Sequence, residues 1–267
     1  MKTIAELSSL AGRRALVTGA AGHIGFAICE TLNELGATVA VCDREAAACE
    51  RRVQELSSIR PGGAHPFACD LQDIPATRQM VRDVVRRLGG LDIAVHCAAY
   101  VGTDDVPGWA VPFEQQSDEP WESVLRVNVT AAFSIVQEAQ RALSESGHGS
   151  VLFISSIYGL VGPDIRLYEG TNMGNPAAYG VSKGGLLQLM RYLATVCAPT
   201  IRVNALSPGG LWRNQKERFV QRYNARTPLG RMATEEDLKG AVAFLASDLS
   251  AYVTGQNLTV DGGWTAW

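Results

Sequence analysis

Tyr179 and Lys183 stand four residues apart in Ala178-Tyr179-Gly180-Val181-Ser182-Lys183. On a helix that spacing puts both side chains on one face, one turn apart. A phenol beside an ammonium is a proton-transfer pair. Their ordinary pKa values are about 10 and about 10.4. A fixed positive charge favours phenolate, so Lys183 is expected to pull the Tyr179 pKa down toward working pH. The plain alternative is two surface residues at chance spacing, and the flanking chain has to discriminate between them.

A second constellation lies near the start of the chain. Thr18-Gly19-Ala20-Ala21-Gly22-His23-Ile24-Gly25 follows an apolar run and opens an amphipathic one. Glycines there let the backbone approach a pyrophosphate, and the helix N-terminus offers free N–H groups and the positive end of its dipole. Gly19, Gly22, His23, Ile24 and Gly25 are therefore candidate cofactor contacts. Asp43 comes 18 residues after Gly25, at the end of the second apolar run. A carboxylate there accepts hydrogen bonds from ribose hydroxyls and repels a 2′-phosphate, which favours NAD over NADP. Arg44 beside it is the one nearby group suited to a 2′-phosphate. Asp43 could also simply cap the helix that follows, and the two roles are compatible.

The elements that must position these residues alternate along the chain. Strands are expected over 14–18, 38–42, 65–68, 92–96, 150–154, 201–206 and near 258–260. Helices are expected over 24–35, 45–59, 76–88, 121–144 (capped near Ser117 or Asp118), 177–196 and 235–245 with Thr234 as N-cap. This order predicts an α/β fold, a doubly wound parallel sheet of Rossmann type, in a single domain over 1–267. Stretches without clear periodicity fall near 100–120, 157–176 and 209–228. All follow strand ends, where open α/β sheets bind ligands.

Composition narrows the function classes. The chain has 267 residues, 46% of them hydrophobic, and a net charge of −3. That suffices for one large core and gives no electrostatic case for nucleic acid or an anionic membrane. Six cysteines form no CxxC pair and sit in apolar surroundings, which points to reduced thiols and a cytoplasmic setting. The four histidines have no metal-ligand spacing, so no metal is expected. No apolar run reaches transmembrane length.

The ordered set of pieces resembles the short-chain dehydrogenase/reductase family, in its compact single-domain branch. The glycine turn, Cys69-Asp70-Leu71, Asn128, Ser155-Ser156, the Tyr179/Lys183 pair, Asn204-Ala205-Leu206-Ser207-Pro208-Gly209, Thr254-Gly255-Gln256 and Asp261-Gly262-Gly263 occur in the family's order. The resemblance implies that Tyr179 is the general acid/base. It implies that Lys183 lowers the Tyr179 pKa and holds the nicotinamide ribose, and that Ser156 binds the substrate oxygen. Asn128 would hold a water linking Lys183 to solvent, Asp70 and Leu71 would border adenine, and Ala98, Pro208 and Gly209 would touch the cofactor. Ser156 as a turn residue and Asn128 as a bridge at a helix kink are the structural alternatives. The family also implies a homodimer or homotetramer packed on the helix that carries Gly184 and Gly185.

Three departures from the family pattern bear on function. His23 stands where compact members usually carry a second glycine, and His96-Cys97-Ala98-Ala99 replaces the usual Asn-Asn-Ala-Gly. The stretch 157–176 is longer than usual and supplies Arg166, Glu169, Asn172 and Asn175. Similar insertions occur in relatives tied to surface-sugar and polysaccharide biosynthesis. These polar groups favour a small sugar-like or polyol substrate; an ordinary surface loop is the alternative. Within a lid at 210–227, Arg213 is placed to bind a substrate carboxylate or phosphate, or to lie solvated at the surface. The aromatic ending Trp264-Thr265-Ala266-Trp267 suggests docking into a neighbouring subunit. The expected activity is NAD-dependent interconversion of an alcohol and a carbonyl. An NADPH-dependent reductase for an apolar or acyl substrate and a non-catalytic nucleotide-binding relative are the alternatives.

Overall fold

The computed structural model describes residues 1–100, 106–171 and 173–267, so the substrate assignment to Asn172 lies outside the described residues. A short helix that the sequence pattern did not single out, α1 (Ile4–Ser8), opens the chain on a Thr3/Glu6 capping box. There follow β1 (Arg14–Thr18), α2 (His23–Glu34), β2 (Thr38–Asp43), α3 (Ala46–Ile59), β3 (Ala64–Ala68), α4 (Ile74–Leu88) and β4 (Ile93–His96). The second half runs α5 (Asp118–Leu125), a π-helical turn (Arg126–Thr130), α6 (Ala131–Glu145), β5 (Gly149–Ile154) and α7 (Ala177–Val196). It closes with β6 (Ile201–Pro208), α8 (Glu217–Arg226), α9 (Glu236–Ala246) and β7 (Asn257–Val260).

Among the described residues the strands form one parallel sheet in the order β3-β2-β1-β4-β5-β6-β7. Strands buried on both faces need near-continuous apolar runs, and β1, β4 and β5 supply them. One face is covered by α4, α6 and α7, through Val81, Ile135 and Leu186 among others. The other is covered by α2, α3 and α9, through Ile28, Leu56 and Val242. The strand order reverses between β1 and β4, so the carboxyl ends of these two strands border the crevice where such sheets bind ligands.

Local signals set most boundaries. Asp73 accepts the Ala76 N–H at 2.9 Å and starts α4, and Gly89, at φ +73°, ends it. Two expectations are corrected. The long helix expected over 121–144 is broken by one π turn around Asn128, because periodicity averages over a single inserted residue. Glu235, not Thr234, is the N-cap of α9; Thr234 instead donates its N–H and hydroxyl to Asp237.

Candidate active site

A cavity of about 960 Å³ runs along the carboxyl edge of the sheet. Its nucleotide end is built on the β1–α2 turn. Gly19 has φ +66° and presses on the Ala98 backbone, while a side chain on Gly25 would collide with the Gly19 carbonyl. The turn can therefore pack so tightly only with glycine at both positions. Gly22 is the N-cap of α2, and His23 follows it, exposed, with Nδ1 3.5 Å from Glu235. Gly19, Gly22, His23, Ile24 and Gly25 all line the cavity.

Asp43 ends β2 at the same rim. Its carboxylate is steered by two backbone donors, Ala21 N–H at 3.0 Å and Arg44 N–H at 2.8 Å. Arg44 lines this rim beside Asp43, with its guanidinium 3.7 Å from the Glu45 carboxylate. Asp70, Leu71, Ala98, Pro208 and Gly209 line the walls between the two ends. A glycine cradle at a helix N-terminus, a carboxylate one strand away and a long continuous cleft fit a dinucleotide.

The chemical end gathers residues from three elements. Lys183, on α7, is buried and donates from Nζ to the Ile154 carbonyl at 2.8 Å, at the end of β5. Burial pulls its pKa down to about 8. Its Nζ lies 5.6 Å from the centre of the Tyr179 ring. Tyr179 receives a hydrogen bond from Ser156, which favours phenolate, but burial outweighs this and raises the Tyr179 pKa. The expected downward pull by Lys183 is therefore not the dominant effect in this arrangement. Ser156 caps the turn Ile157–Gly159 by accepting the Tyr158 N–H at 3.2 Å, so it acts as a turn residue and as a neighbour of the phenol at once. That turn approaches α7 closely, and Gly159 is needed because a side chain would strike the Lys183 backbone.

Asn128 lies behind this group, fully buried in the π turn. Its Nδ2 donates to Ser182 Oγ at 2.9 Å and its Oδ1 accepts the Tyr100 N–H at 2.7 Å. Both ends of its amide are thus committed to protein groups, and it tethers α7 to the loop after β4.

The substituted pair after β4 is also placed. In register with Thr18 on β1, His96 is buried, with Nδ1 3.0 Å from Thr18 Oγ1. Thr18 Oγ1 also accepts the Ala98 N–H at 3.3 Å. Nε2 of His96 lies near the backbone of Val127 and Asn128 without closing a well-formed bond. Burial first, and the Lys183 charge second, lower the His96 pKa to about 3. Unfolded imidazole titrates near 6.5. Between these values the unfolded chain binds the extra proton, so stability falls as pH drops from about 6.5 toward 3. We expect this group to cost about 2 kcal/mol of stability between pH 7 and pH 5. Urea unfolding should show a smaller loss over that interval in His96→Asn than in the wild type; equal losses would contradict this account.

The insertion at 157–176 contributes differently from expectation. Arg166 turns outward and chelates Asp164 with Nε and Nη2, both at 2.8 Å. The carbonyls of Arg166 and Glu169 accept from Arg222 on α8, and the Glu169 carboxylate faces Arg222 as well. Neither side chain lines the cavity; Tyr158, Tyr168 and Met173 do. The polar groups of this segment thus hold it to α8, and its aromatic groups face inward. Arg213 does line the cavity, but it is paired with Glu235 at 2.7 Å and so brings little free charge. Phe219 and Tyr223 complete the wall from α8, a helix within the stretch 209–228 that shows no clear periodicity in sequence. Tyr158, Tyr168, Phe219 and Tyr223 were missed as site residues; the one available signal was Tyr158, two positions after Ser156. Trp264 is buried in its own subunit against Tyr158, Tyr223 and Arg226, so of the two aromatic residues of the ending only Trp267 is exposed for a neighbour.

A family profile described as Enoyl-(Acyl carrier protein) reductase matches residues 19–265. A tropinone reductase homolog of Arabidopsis thaliana is 34% identical, with 96% of this chain and 94% of that protein covered. This chain belongs to the short-chain dehydrogenase/reductase family. The (3R)-3-hydroxyacyl-CoA dehydrogenase of Mus musculus is likewise 34% identical, over 93% of this chain and 95% of that protein. A short-chain dehydrogenase from Leptospira borgpetersenii, solved with bound NAD+, superposes with a TM-score of 0.82 at 32% identity, covering 99% of this chain and 96% of that one. The short-chain dehydrogenase/reductase described here is therefore an NAD(P)-dependent oxidoreductase acting on CH–OH groups or the corresponding carbonyls. Among the described residues no cluster of His, Cys, Asp and Glu could hold a metal ion, and no helix is long and apolar enough to cross a membrane.

Proposed function

We propose that this enzyme uses NAD to interconvert an alcohol and its carbonyl on a small uncharged, sugar-like or polyol substrate. The observation that carries this reading is one cleft with the Asp43 carboxylate at one end and the Ser156–Tyr179 pair over Lys183 at the other. Bound NAD supplies the hydride acceptor. Ser156 holds the substrate oxygen, and Tyr179 takes the hydroxyl proton on oxidation and returns it on reduction. Lys183, fixed on the Ile154 carbonyl, places its charge beneath the phenol. Asp43 supports NAD over NADP, since a carboxylate at this rim accepts from ribose hydroxyls and repels a 2′-phosphate.

Arg166 and Glu169 turn away from the cleft; the phenols of Tyr158 and Tyr168 and the paired state of Arg213 support an uncharged polar substrate. A second reading, NADPH-linked reduction of an apolar or acyl carbonyl, draws on the walls supplied by Val106, Met173, Phe219 and Met232, with Asp43 weighing against its cofactor. A homodimer or homotetramer and a cytoplasmic setting complete the proposal. Exposed Trp121, Phe133, Val181 and Tyr192 on α5, α6 and α7 supply apolar surface for self-association. The test is to mix the enzyme and NAD with sugars, polyols and simple alcohols and follow NADH absorbance. Polyol-dependent NADH formation is expected. Faster NADPH oxidation with acyl ketones than any NAD-linked turnover would sink the reading.

A further inference from the structure

Resting on that reading of the reaction, we propose that Tyr158 and Tyr168 form a second recognition point that binds an additional uncharged oxygen of the substrate, a hydroxyl or carbonyl near the reacting carbon. The two phenols reach the cavity from different segments. Tyr158 lies in the turn that Ser156 caps, and Tyr168 closes the next short turn, Ile165–Leu167. Their hydroxyl oxygens are 2.7 Å apart. Both rings are locked by packing: Tyr158 stands edge-on to Trp264 at 6.2 Å between ring centres, and Tyr168 tilts against Phe219 at 5.5 Å. Locked rings leave only the hydroxyls to face a ligand, at little cost in side-chain entropy.

The proton count leaves one donor over. A phenol has one O–H to give and accepts through its oxygen. Either phenol can donate in their shared bond, and whichever gives its hydrogen, the O–H of the other is left over from that bond. Tyr158, Tyr168 and Tyr179 line the same cavity, so the left-over donor shares the cleft with the reacting phenol.

Two other polar side chains on that wall, Gln215 and Arg213, are already engaged. Gln215 accepts the Arg213 N–H at 2.6 Å and donates to the Leu211 carbonyl at 2.8 Å. Arg213 is held by Glu235 and by the Trp212 carbonyl. The site thus offers a hydrogen-bond donor without a free charge, which suits a neutral oxygen and not a carboxylate or phosphate.

The experiment compares cyclohexanol with the cyclohexane-1,2- and 1,3-diols as NAD-linked substrates of the wild type, Tyr168→Phe and Tyr158→Phe. The wild type should favour at least one diol over cyclohexanol by about tenfold or more in kcat/KM, since a site built for a hydroxyl rejects the analogue that lacks it. At least one of Tyr168→Phe and Tyr158→Phe should lower kcat/KM for that diol by about tenfold and leave cyclohexanol within about twofold. A diol preference that survives both substitutions, or an equal loss on both substrates, overturns the assignment to this pair and leaves the reaction reading standing. An equal wild-type rate on cyclohexanol and every diol overturns the second recognition point altogether. NADH formation from none of these alcohols would instead defeat the NAD-linked polyol reading on which it rests.

Discussion

Tyr179→Phe is expected to lower kcat/KM for alcohol oxidation by about 10²–10⁴-fold, the range a positioned acid or base contributes. The substitution removes one oxygen and keeps the ring that packs with Trp109, Val124 and Ala178. Folding and nucleotide binding should therefore change little, and NAD titration should give a dissociation constant within a few-fold of the wild type. The pH profile carries further information. Burial raises the Tyr179 pKa, and oxidation needs the phenolate, so the wild-type oxidation rate should climb with pH on the alkaline side. Lys183, lowered to about 8, loses its charge over the same range and should flatten that climb. Reduction, which needs the protonated phenol, should persist toward neutral pH. Wild-type rates in Tyr179→Phe would remove the phenol from the chemistry.

Asp43→Asn should lower the preference for NAD over NADP by tenfold or more. A carboxylate facing a 2′-phosphate costs several kcal/mol, and each 1.4 kcal/mol is tenfold in affinity, so the wild type should discriminate by about 10²-fold or more. Asparagine keeps an oxygen for the Ala21 or Arg44 N–H and removes the charge. The gain should appear mainly as tighter NADP binding, with a smaller loss for NAD from weaker contacts to ribose hydroxyls. Fluorescence titration of NADH and NADPH with both proteins measures it. Tighter NADPH binding by the wild type would reverse the assignment and bring Arg44 forward as the phosphate contact.

Much of this enzyme was legible from local sequence. Strict alternation of strand and helix periods gave the sheet, because both faces of a parallel sheet must be covered and only one handed crossover does it. The α7 boundaries, 177–196, and the Tyr179/Lys183 face followed from helical spacing alone. The glycine turn was readable because Gly19 and Gly25 meet across one tight turn, a local constraint.

Tertiary packing decided the rest. Whether Arg166 or Tyr168 enters the cleft depends on Asp164 and α8, which lie far off in sequence or outside any periodic pattern. Arg213 was visible as a cation, but only the fold brought Glu235 to it and neutralised it. Trp264 reads as a sticky terminus until Tyr158, Tyr223 and Arg226 enclose it. The balance of effects on Tyr179 was likewise set by burial, which spacing does not carry, so a pair expected to favour phenolate instead has its phenol raised. Periodic elements encode their own faces. The direction of a loop side chain is set by what the completed core leaves room for.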